Sequence, residues 1–579
     1  MKQPKGTPNR KKPKAPPAFI KWRFGVICFF IGLALVALIA RAAYIQVVEP
    51  DNLVYQGDLR SLRVKALPSS RGIISDRNNE PLAVSVPVQA VYADPVRIFK
   101  EDGLKELNRW YALADVLGIP RQELISRLES NKKRRFIYLQ RQVGATVSNY
   151  IEKLKLPGIG LKDESRRFYP AGEVSAHLVG VTGIDGHGLE GVERSYDGWL
   201  TGEPGRRTVR KDRYGRVVET ISQEAREPGK PLDLSIDQRL QAIAYRSIKQ
   251  AVADYRATSG TLVMVDVKTG EVLAMVNAPS YNPNNRSDLK SFKMRNRAVT
   301  DVFEPGSTIK PFVVLAALEN HVADEHTVID TGNGIFRIGG AKVRDVSKVG
   351  KADLRKILQK SSNIGVSKLS LAMPVDALLG LYGSFGLGEY TGVSLIGESA
   401  GHFPTRTRWS DFERATLAFG YGISVTPAQL ARAYAALGAY GVSRPLSILK
   451  TDQVVPGKQV VSQENAMKVV KMLEAVTQKG GSATRAAVDG YRIGAKTGTA
   501  KVAVAGGYSD EYIAFTAGIA PISDPRIAMV VVINEPQGDK YYGGVVAAPV
   551  FSEVMKSALR ILNIAPDAYT SDMMHVAKK

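Results

Sequence analysis

A serine and a lysine three residues apart are the groups in this chain best suited to chemistry. Ser307 and Lys310 stand at the start of an apolar run from Phe312 to Leu318. The run predicts a buried helix that begins at the serine, and the i, i+3 spacing places both side chains on one helix face. The helix N-terminus favours negative charge developing beside the serine, and its amides can donate to an oxyanion. This arrangement suits acyl transfer to a serine hydroxyl.

A serine hydroxyl needs a base to become a nucleophile, and the usual base is histidine. The chain has six histidines, and none lies in a recognisable catalytic motif. A neutral Lys310 can fill the role, although lowering its pKa from ~10.4 to about 7 costs roughly 4 to 5 kcal/mol. Burial and a second cation lower the pKa of a lysine, and Lys496 is the candidate neighbour.

Two further polar motifs follow Ser307 in the order that a serine acyl-transfer site requires. They are Ser361-Ser362-Asn363 and Lys496-Thr497-Gly498-Thr499. Singly, such motifs are weak evidence, since similar ones occur by chance at Ser287 and Lys268. Ser287 lies in a polar loop sequence and Lys268 in a predicted hairpin turn, so their context excludes both. Order and context together favour the site at Ser307.

An apolar segment near the start of the chain predicts a membrane anchor. Residues 24–45 contain a single charge, at Arg41, and are long enough to span a bilayer. Trp22 and Tyr44 would lie ~33 Å apart along a helix, close to the ~30 Å thickness of the hydrocarbon core. A cleaved signal peptide is the alternative, because residues 40–42 resemble a cleavage site. The apolar run is longer than the usual ~7–15 residues, which favours an uncleaved anchor.

A block of basic residues precedes this segment. The formal net charge is +23, and eight lysines and arginines but no acid come before Phe24. The block is interpreted as a topology signal that keeps the N-terminus in the cytoplasm, not as a nucleic-acid-binding arm. The only cysteine, Cys28, lies within the anchor. The exported part therefore has no thiol for a disulfide or a cysteine metal site.

The rest of the chain is too long for a single core and divides at a turn-rich linker, residues 227–231. After the linker, strand patterns at both ends of the sequence enclose helical patterns, which predicts an α+β domain with an antiparallel sheet. The predicted strands are 232–236, 261–267, 272–276, 512–519 and 526–534, and the predicted helices include 237–255, 312–318, 352–359, 428–437 and 465–477. The predicted divisions are a cytoplasmic tail (1–23), the anchor (24–45), an N-terminal domain (46–230), a catalytic domain (231–565) and a C-terminal tail (566–579).

The three motifs together resemble those of the penicillin-binding proteins and serine β-lactamases. Their separations, 54 residues from Ser307 to Ser361 and 135 from Ser361 to Lys496, are similar to those of the large membrane-bound members. Three N-terminal blocks, at residues 71–83, 167–172 and 188–193, are similar to the elongated pedestal, or dimerisation-type, domain of class B. Residues 419–430 resemble the division-specific members of that class. The middle motif is Ser-Ser-Asn, and no glutamate-centred deacylation motif accompanies it, which argues against a β-lactamase.

The resemblance implies a role for each residue of the first two motifs. Ser307 would be the acylated nucleophile and Lys310 its base. Ser361 would relay a proton to the leaving group, and Asn363 would hold the peptide amide of the substrate.

The resemblance likewise implies roles for the third motif. Lys496 would tune Ser361 and, with Thr497, receive the terminal carboxylate of the substrate. Gly498 would allow the substrate backbone to lie against its strand. The backbone amides of Ser307 and Thr499 would form the oxyanion hole.

The implied activity is a serine D,D-transpeptidase that cross-links peptidoglycan stem peptides at the division septum and is acylated by β-lactams. It would join a donor ending in D-Ala-D-Ala to an acceptor amine, with no cofactor, metal or nucleic acid. The implied location is the bacterial inner membrane, with a periplasmic catalytic domain beside a SEDS-family glycan polymerase and other divisome membrane proteins. The alternatives are a D,D-carboxypeptidase, an elongation-type transpeptidase or a non-catalytic divisome scaffold.

Overall fold

A computed structural model describes residues 21–48, 50–67, 69–212, 217–406, 408–451, 453–504 and 506–568. The chain forms two compact units, one of residues 1–67 and 204–226, the other of residues 68–203 and 227–579. Most of the predicted cytoplasmic tail and most of the predicted C-terminal tail lie outside the described residues. The predicted domain boundaries stay predictions.

The first unit begins with an apolar helix, Lys21–Ala43, that continues as a π-helical turn, Tyr44–Val48. The most apolar 18 residues of this stretch have a mean hydropathy of 2.5, and no residue of the helix Lys21–Ala43 is buried. A helix that is apolar all round and buried against no protein suits a lipid environment. The structure therefore has an N-terminal helix consistent with a single-pass anchor. The unit also contains the helix Pro50–Ser61 and an antiparallel sheet of Leu62–Leu67, Gly205–Lys211 and Val217–Gln223.

The second unit is built around a five-stranded antiparallel sheet, called the central sheet. Its strands in spatial order are Val272–Ala278, Ser259–Asp266, Ile527–Asn534, Gly507–Ala520 and Gly494–Val504. The three strands at and next to one edge are almost wholly buried, because helices cover both faces of the sheet. The helices that pack on it are Gln238–Asp254, Pro427–Gly438, Gln463–Thr477 and Gly543–Ile561. The antiparallel α+β arrangement predicted from the sequence is confirmed.

Two elements depart from the sequence prediction for local reasons. The predicted helix 352–359 runs instead as Leu354–Lys360, because Lys351–Asp353 pairs as a strand with Val328–Asp330. The predicted strand 232–236 is reduced to Leu232–Asp233. The terminal helix Gly543–Ile561, which had no sequence prediction, covers the sheet beside the third motif.

Other elements of the second unit surround this sheet. The remaining helices after residue 234 are Ser291–Met294, Arg297–Thr300, Lys310–Glu319, Asn363–Ala372, Val375–Ser384 and Asp411–Leu417. Short strands pair as Ile335–Ile338 with Ala341–Arg344 and as Val442–Ser443 with Lys458–Gln459.

The N-terminal part of the second unit has its own sheet and a small separate core. Its strands are Ile74–Ser75, Pro81–Ala93, Ile137–Val143 and Ile159–Phe168. The helices of this part are Pro95–Lys100, Leu107–Leu117, Arg121–Ser130, Ala145–Leu154, Ala176–Val179, Gly191–Ser195 and Asp197–Leu200. Trp110 is fully buried at the centre of the small core.

A buried ionic network joins the three N-terminal sequence blocks. Glu193 is fully buried, and its carboxylate accepts hydrogen bonds from Arg71 Nε at 2.5 Å and Arg167 Nε at 2.6 Å. Arg71 Nη1 also donates to Asp197 Oδ1 at 2.6 Å. Removing one partner of such a cluster leaves a buried charge without compensation, which costs more than the cluster itself contributes. The three blocks therefore stabilise the N-terminal part of the second unit by holding its segments together.

We expect Glu193→Gln to destabilise the protein by about 3 kcal/mol, because two buried guanidinium groups would face a neutral amide. A urea unfolding curve of the purified protein measures this as a lower midpoint. Asp185→Asn is the matched control, since Asp185 pairs with Arg141 at 2.7 Å but is 69% exposed. Equal midpoints for the two variants would contradict the structural role of the network.

Candidate active site

Ser307 lies on a tight turn at the mouth of a buried helix. The turn, Gly306–Ile309, is a 3₁₀ helix that continues into Lys310–Glu319. Gly306 has φ +49°, and its amide donates to the Gly420 carbonyl at 3.4 Å. A Cβ on Gly420 would lie 2.3 Å from the Gly306 nitrogen, so only a glycine allows this approach. The contact fixes the position of the turn, and Ser307 is left half-buried.

Lys310 is fully buried one turn after the serine. Its Nζ donates to the Ser361 carbonyl at 2.6 Å, to Asn363 Oδ1 at 2.7 Å and to Ser361 Oγ at 3.2 Å. Burial, then the charge of Lys496, lowers the pKa of Lys310 well below its usual value, while Asp345 opposes the shift. In the described part of the chain, Ser307 Oγ makes no hydrogen bond. The side-chain contacts of Lys310 are therefore with the second motif and not with Ser307.

The second motif occupies a turn between two helices. Ser361 ends the helix Leu354–Lys360 with a left-handed φ of +56°, and Ser362 caps the helix Asn363–Ala372 by accepting from the Gly365 amide at 2.9 Å. Asp345 secures this turn, because its carboxylate accepts from Ser362 Oγ at 2.6 Å and from a main-chain amide of the helix. The strained φ of Ser361 is thus supported on both sides, and its hydroxyl points at the lysines.

Lys496 is the second amine at the Ser361 hydroxyl. It is fully buried on the edge strand Gly494–Val504, and its Nζ donates to Ser361 Oγ at 2.8 Å and to the Thr497 carbonyl at 3.2 Å. Burial lowers the pKa of Lys496 to about 7. Because two ammonium groups contact the same oxygen without a carboxylate partner, at least one of them is favoured in its neutral form.

The edge strand presents main-chain groups to the cleft. The Thr499 carbonyl lies on the side of Gly306, 3.9 Å from the position of a Cβ there. The N–H and C=O of one strand residue point to the same side, so the Thr499 amide faces the Ser307 turn as well. The Thr499 hydroxyl accepts from the Gly543 amide at 3.0 Å. The two amides predicted for the oxyanion hole thus belong to segments in contact with each other.

Gly498 and Thr497 are placed by different contacts. A Cβ on Gly498 would lie 2.0 Å from the ring of Phe515, so the missing side chain is required by packing within the sheet. This reason differs from the close substrate approach that the sequence suggested. The Thr497 hydroxyl donates to Ser482 Oγ at 3.3 Å, which adds a further hydroxyl to this wall of the cleft.

Glu304 belongs to the site and was missed in the sequence. It is 9% exposed, and Oε1 accepts from the Gly422 amide at 2.9 Å and from the Tyr508 hydroxyl at 3.2 Å. Burial raises the pKa of this carboxyl, and Oε2 has no partner in the described residues. Its position three residues before Ser307 could have drawn attention to it, because the neighbouring sequence contains no cap or ion-pair pattern that would explain an acid there.

The described residues contain no group of three or more histidine, cysteine, aspartate and glutamate side chains suited to hold a metal ion. The groups described above at the site are hydroxyls, amines, amides and main-chain groups. Such a set can activate a serine, move protons and stabilise an oxyanion.

The arrangement of a serine turn, a Ser-Ser-Asn turn and a lysine-bearing edge strand is that of a penicillin-binding transpeptidase, and the chain belongs to that family. The family description "Penicillin binding protein transpeptidase domain" matches residues 260–556, and "Penicillin-binding Protein dimerisation domain" matches residues 66–234.

Curated relatives cover nearly the whole chain. It is 54% identical to the Peptidoglycan D,D-transpeptidase FtsI of Escherichia coli (strain K12), over 99% of this chain and 97% of the relative. It is 39% identical to the Probable peptidoglycan D,D-transpeptidase PenA of Neisseria gonorrhoeae, over 97% of each chain.

Solved structures give the same assignment. A peptidoglycan synthetase from Bifidobacterium adolescentis shares 26% identity with a TM-score of 0.69, over 88% of this chain and 98% of that one. The transpeptidase domain of penicillin-binding protein 3 from Burkholderia pseudomallei shares 40% identity with a TM-score of 0.54, over 58% of this chain and 98% of that one.

We expect Gly420→Ala to slow acylation by a fluorescent penicillin roughly 10- to 100-fold, because the added methyl displaces the turn that carries Ser307. Gly422→Ala is the control. Both glycines have positive φ, +85° and +82°, but a Cβ on Gly422 would come no closer than 3.9 Å to any neighbour. The rate of each variant is measured by quenching the labelling reaction at a series of times and quantifying the fluorescent adduct. Equal slowing in the two variants would attribute the effect to backbone strain alone.

Proposed function

We propose that this chain is a serine D,D-transpeptidase that cross-links peptidoglycan stem peptides during cell division. The observation that carries the proposal is the Ser361 hydroxyl, contacted by Lys310 at 3.2 Å and Lys496 at 2.8 Å. This arrangement gives a proton path between a candidate base and a leaving group. The family membership and the FtsI relatives support the same reaction.

In the first half-reaction, Ser307 Oγ attacks the carbonyl carbon of the penultimate D-Ala of a donor peptide. Neutral Lys310 takes the hydroxyl proton, and the amides of Ser307 and Thr499 receive the oxyanion. The C–N bond to the terminal D-Ala then breaks, and Ser361 passes a proton to the departing amine. The product is an ester on Ser307 and a free D-Ala.

In the second half-reaction, an amine of a neighbouring stem peptide attacks the ester carbonyl. The amine loses a proton to the lysine and serine pair, the C–O bond to Ser307 breaks, the Ser307 oxygen takes up that proton, and an amide cross-link forms. A β-lactam would acylate the same hydroxyl by opening its ring amide.

Substrate binding would bring Lys310 into position to act as the base. Lys310 now donates to Asn363 Oδ1 at 2.7 Å. A substrate peptide that hydrogen-bonds with Asn363, while its carboxylate binds Lys496 and Thr497, would compete for that contact and free Lys310 to face Ser307. Catalytic hydrogen bonds commonly tighten only in the complex with substrate.

The proposed location rests on the anchor, and the proposed partners rest on the resemblance to the division-specific members of the family. The basic block before the apolar helix favours a cytoplasmic N-terminus, an inner-membrane anchor and a periplasmic catalytic domain. A SEDS-family glycan polymerase and other divisome membrane proteins are the proposed partners of the membrane-proximal part. Such partners would deliver nascent glycan strands to the site.

Replacing Ser307 by Ala is expected to abolish covalent labelling by a fluorescent penicillin, because the hydroxyl that would form the ester is removed. Ser287→Ala is the control, since Ser287 has a similar local motif but lies exposed on a short 3₁₀ helix, Arg286–Asp288. Gel fluorescence measures the adduct. Persistent labelling of the Ser307→Ala protein would refute the proposed nucleophile.

The pH dependence of acylation separates the two lysines. Lys310 must be neutral and therefore acts above its lowered pKa, whereas Lys496 must be charged to bind a carboxylate and therefore acts below its pKa of about 7. We expect kcat/KM to fall as the pH rises through about 7. In Lys496→Arg the guanidinium stays charged, so this falling limb should move to higher pH. An unchanged falling limb would contradict the assignment to Lys496.

A further inference from the structure

A short hairpin beside the second motif carries three cations on one face. Its strands, Ile335–Ile338 and Ala341–Arg344, pair so that Arg337 lies directly opposite Lys342. Side chains alternate between the two faces of a strand pair, so Arg337, Lys342 and Arg344 share one face. These three side chains are called the hairpin cations.

The face of the hairpin cations is turned to solvent. All three are exposed, whereas Val343, on the opposite face, is 3% exposed. Phe336 also lies on that opposite face, where its ring sits 5.2 Å from the Lys368 ammonium. The packed face and the charged face are therefore distinct.

No acid compensates the hairpin cations. Across the described residues, no carboxylate lies within 4.0 Å of any of them. The one acid in the adjoining turn, Asp345, is occupied by the second motif. Like charges directly opposite in a sheet destabilise it, so the Arg337 and Lys342 pair has a cost that no internal contact offsets. An external anion would remove that cost.

The hairpin is fastened to the catalytic cleft. The Arg344 carbonyl accepts from Asn363 Nδ2 at 2.8 Å, and Asn363 Oδ1 accepts from Lys310 at 2.7 Å. Two hydrogen bonds thus lead from the proposed base to the hairpin. The edge strand Gly494–Val504, which would take the donor carboxylate through Lys496, is a different wall of the cleft.

We propose that the hairpin cations bind the carboxylates of the acceptor stem peptide and so bring its amine to the acyl-enzyme. The inference rests on the proposed function and deepens it. Lys496 and Thr497 would already bind the donor carboxylate. An acceptor amine that belongs to diaminopimelate has a second carboxylate on the same carbon atom, and this carboxylate needs a cationic partner of its own. The hairpin cations make no bond to a reacting atom and act by positioning.

The test uses the full chain in detergent with a thioester donor and diaminopimelate as the acceptor. The variant Arg337→Gln, Lys342→Gln and Arg344→Gln is expected to raise the acceptor KM about tenfold, since several exposed ion pairs are lost together. The kcat and the rate of penicillin acylation should change less than about twofold, because the nucleophile and base are untouched. Added salt should raise the acceptor KM of the unmodified protein but not that of the variant.

The control is the variant Lys133→Gln, Arg134→Gln and Arg135→Gln, which removes the same charge from an exposed run in the N-terminal part. An acceptor with its carboxylate amidated is a second control and should be insensitive to the hairpin variant.

The inference is overturned by an unchanged acceptor KM, by an equal effect in the control variant, or by a rise in the donor KM alone. It is also overturned if the hairpin variant loses only its binding to vesicles of anionic lipid, which would make the surface a membrane contact. Each of these results leaves penicillin labelling of Ser307 intact, whereas failure of the proposed function would remove it.

Discussion

The whole site depends on two buried lysines that meet at a serine hydroxyl. Neither forms a salt bridge with a carboxylate of the described residues. Lys310 and Lys496 are both fully buried, and both contact Ser361 Oγ. In water each amine would be charged, but burial and mutual repulsion favour a state with one proton fewer. The surrounding protein must supply this environment, because no histidine of the described residues contacts either lysine. Part of the folding free energy of the protein is therefore used to hold two amines close together and out of contact with water.

The fold meets this demand through three segments that are remote in the sequence. The Ser307 turn is pressed against Gly420, the Ser361 turn is secured by Asp345, and Lys496 comes from the edge of the central sheet. Each segment has its own local support, so the positions of the groups do not depend on the flexible side chains alone. This explains why glycine contacts recur near the site, since backbone segments must approach more closely than a side chain would permit.

Much of this organisation is readable in the sequence because it is encoded locally. Short-range rules predict the spacing of Ser307 and Lys310 and the strand patterns of the central sheet. They also predict the start of the helix Gln238–Asp254, which Asp237 caps. The lowered pKa expected for Lys310 was also predictable, since a serine without a histidine needs a neutral amine. The α+β class followed from strands at both ends of the domain.

What the sequence could not reveal is the set of contacts between distant segments. Glu304 and Tyr508 are 204 residues apart, and the clash that requires a glycine at 498 comes from the ring of Phe515 on the neighbouring strand. The helix Gly543–Ile561 was missed because its glycine-rich start and its internal proline resemble a loop. Such features depend on how the elements pack, and a local sequence pattern does not predict that packing.

The edge strand Gly494–Val504 has one further consequence. An open strand edge invites pairing with any extended chain and so promotes aggregation. Here the Ser307 turn packs against the edge strand, so part of the edge is covered by another segment of the same chain. The segment that carries Ser307 thus also limits pairing of the edge strand with other chains.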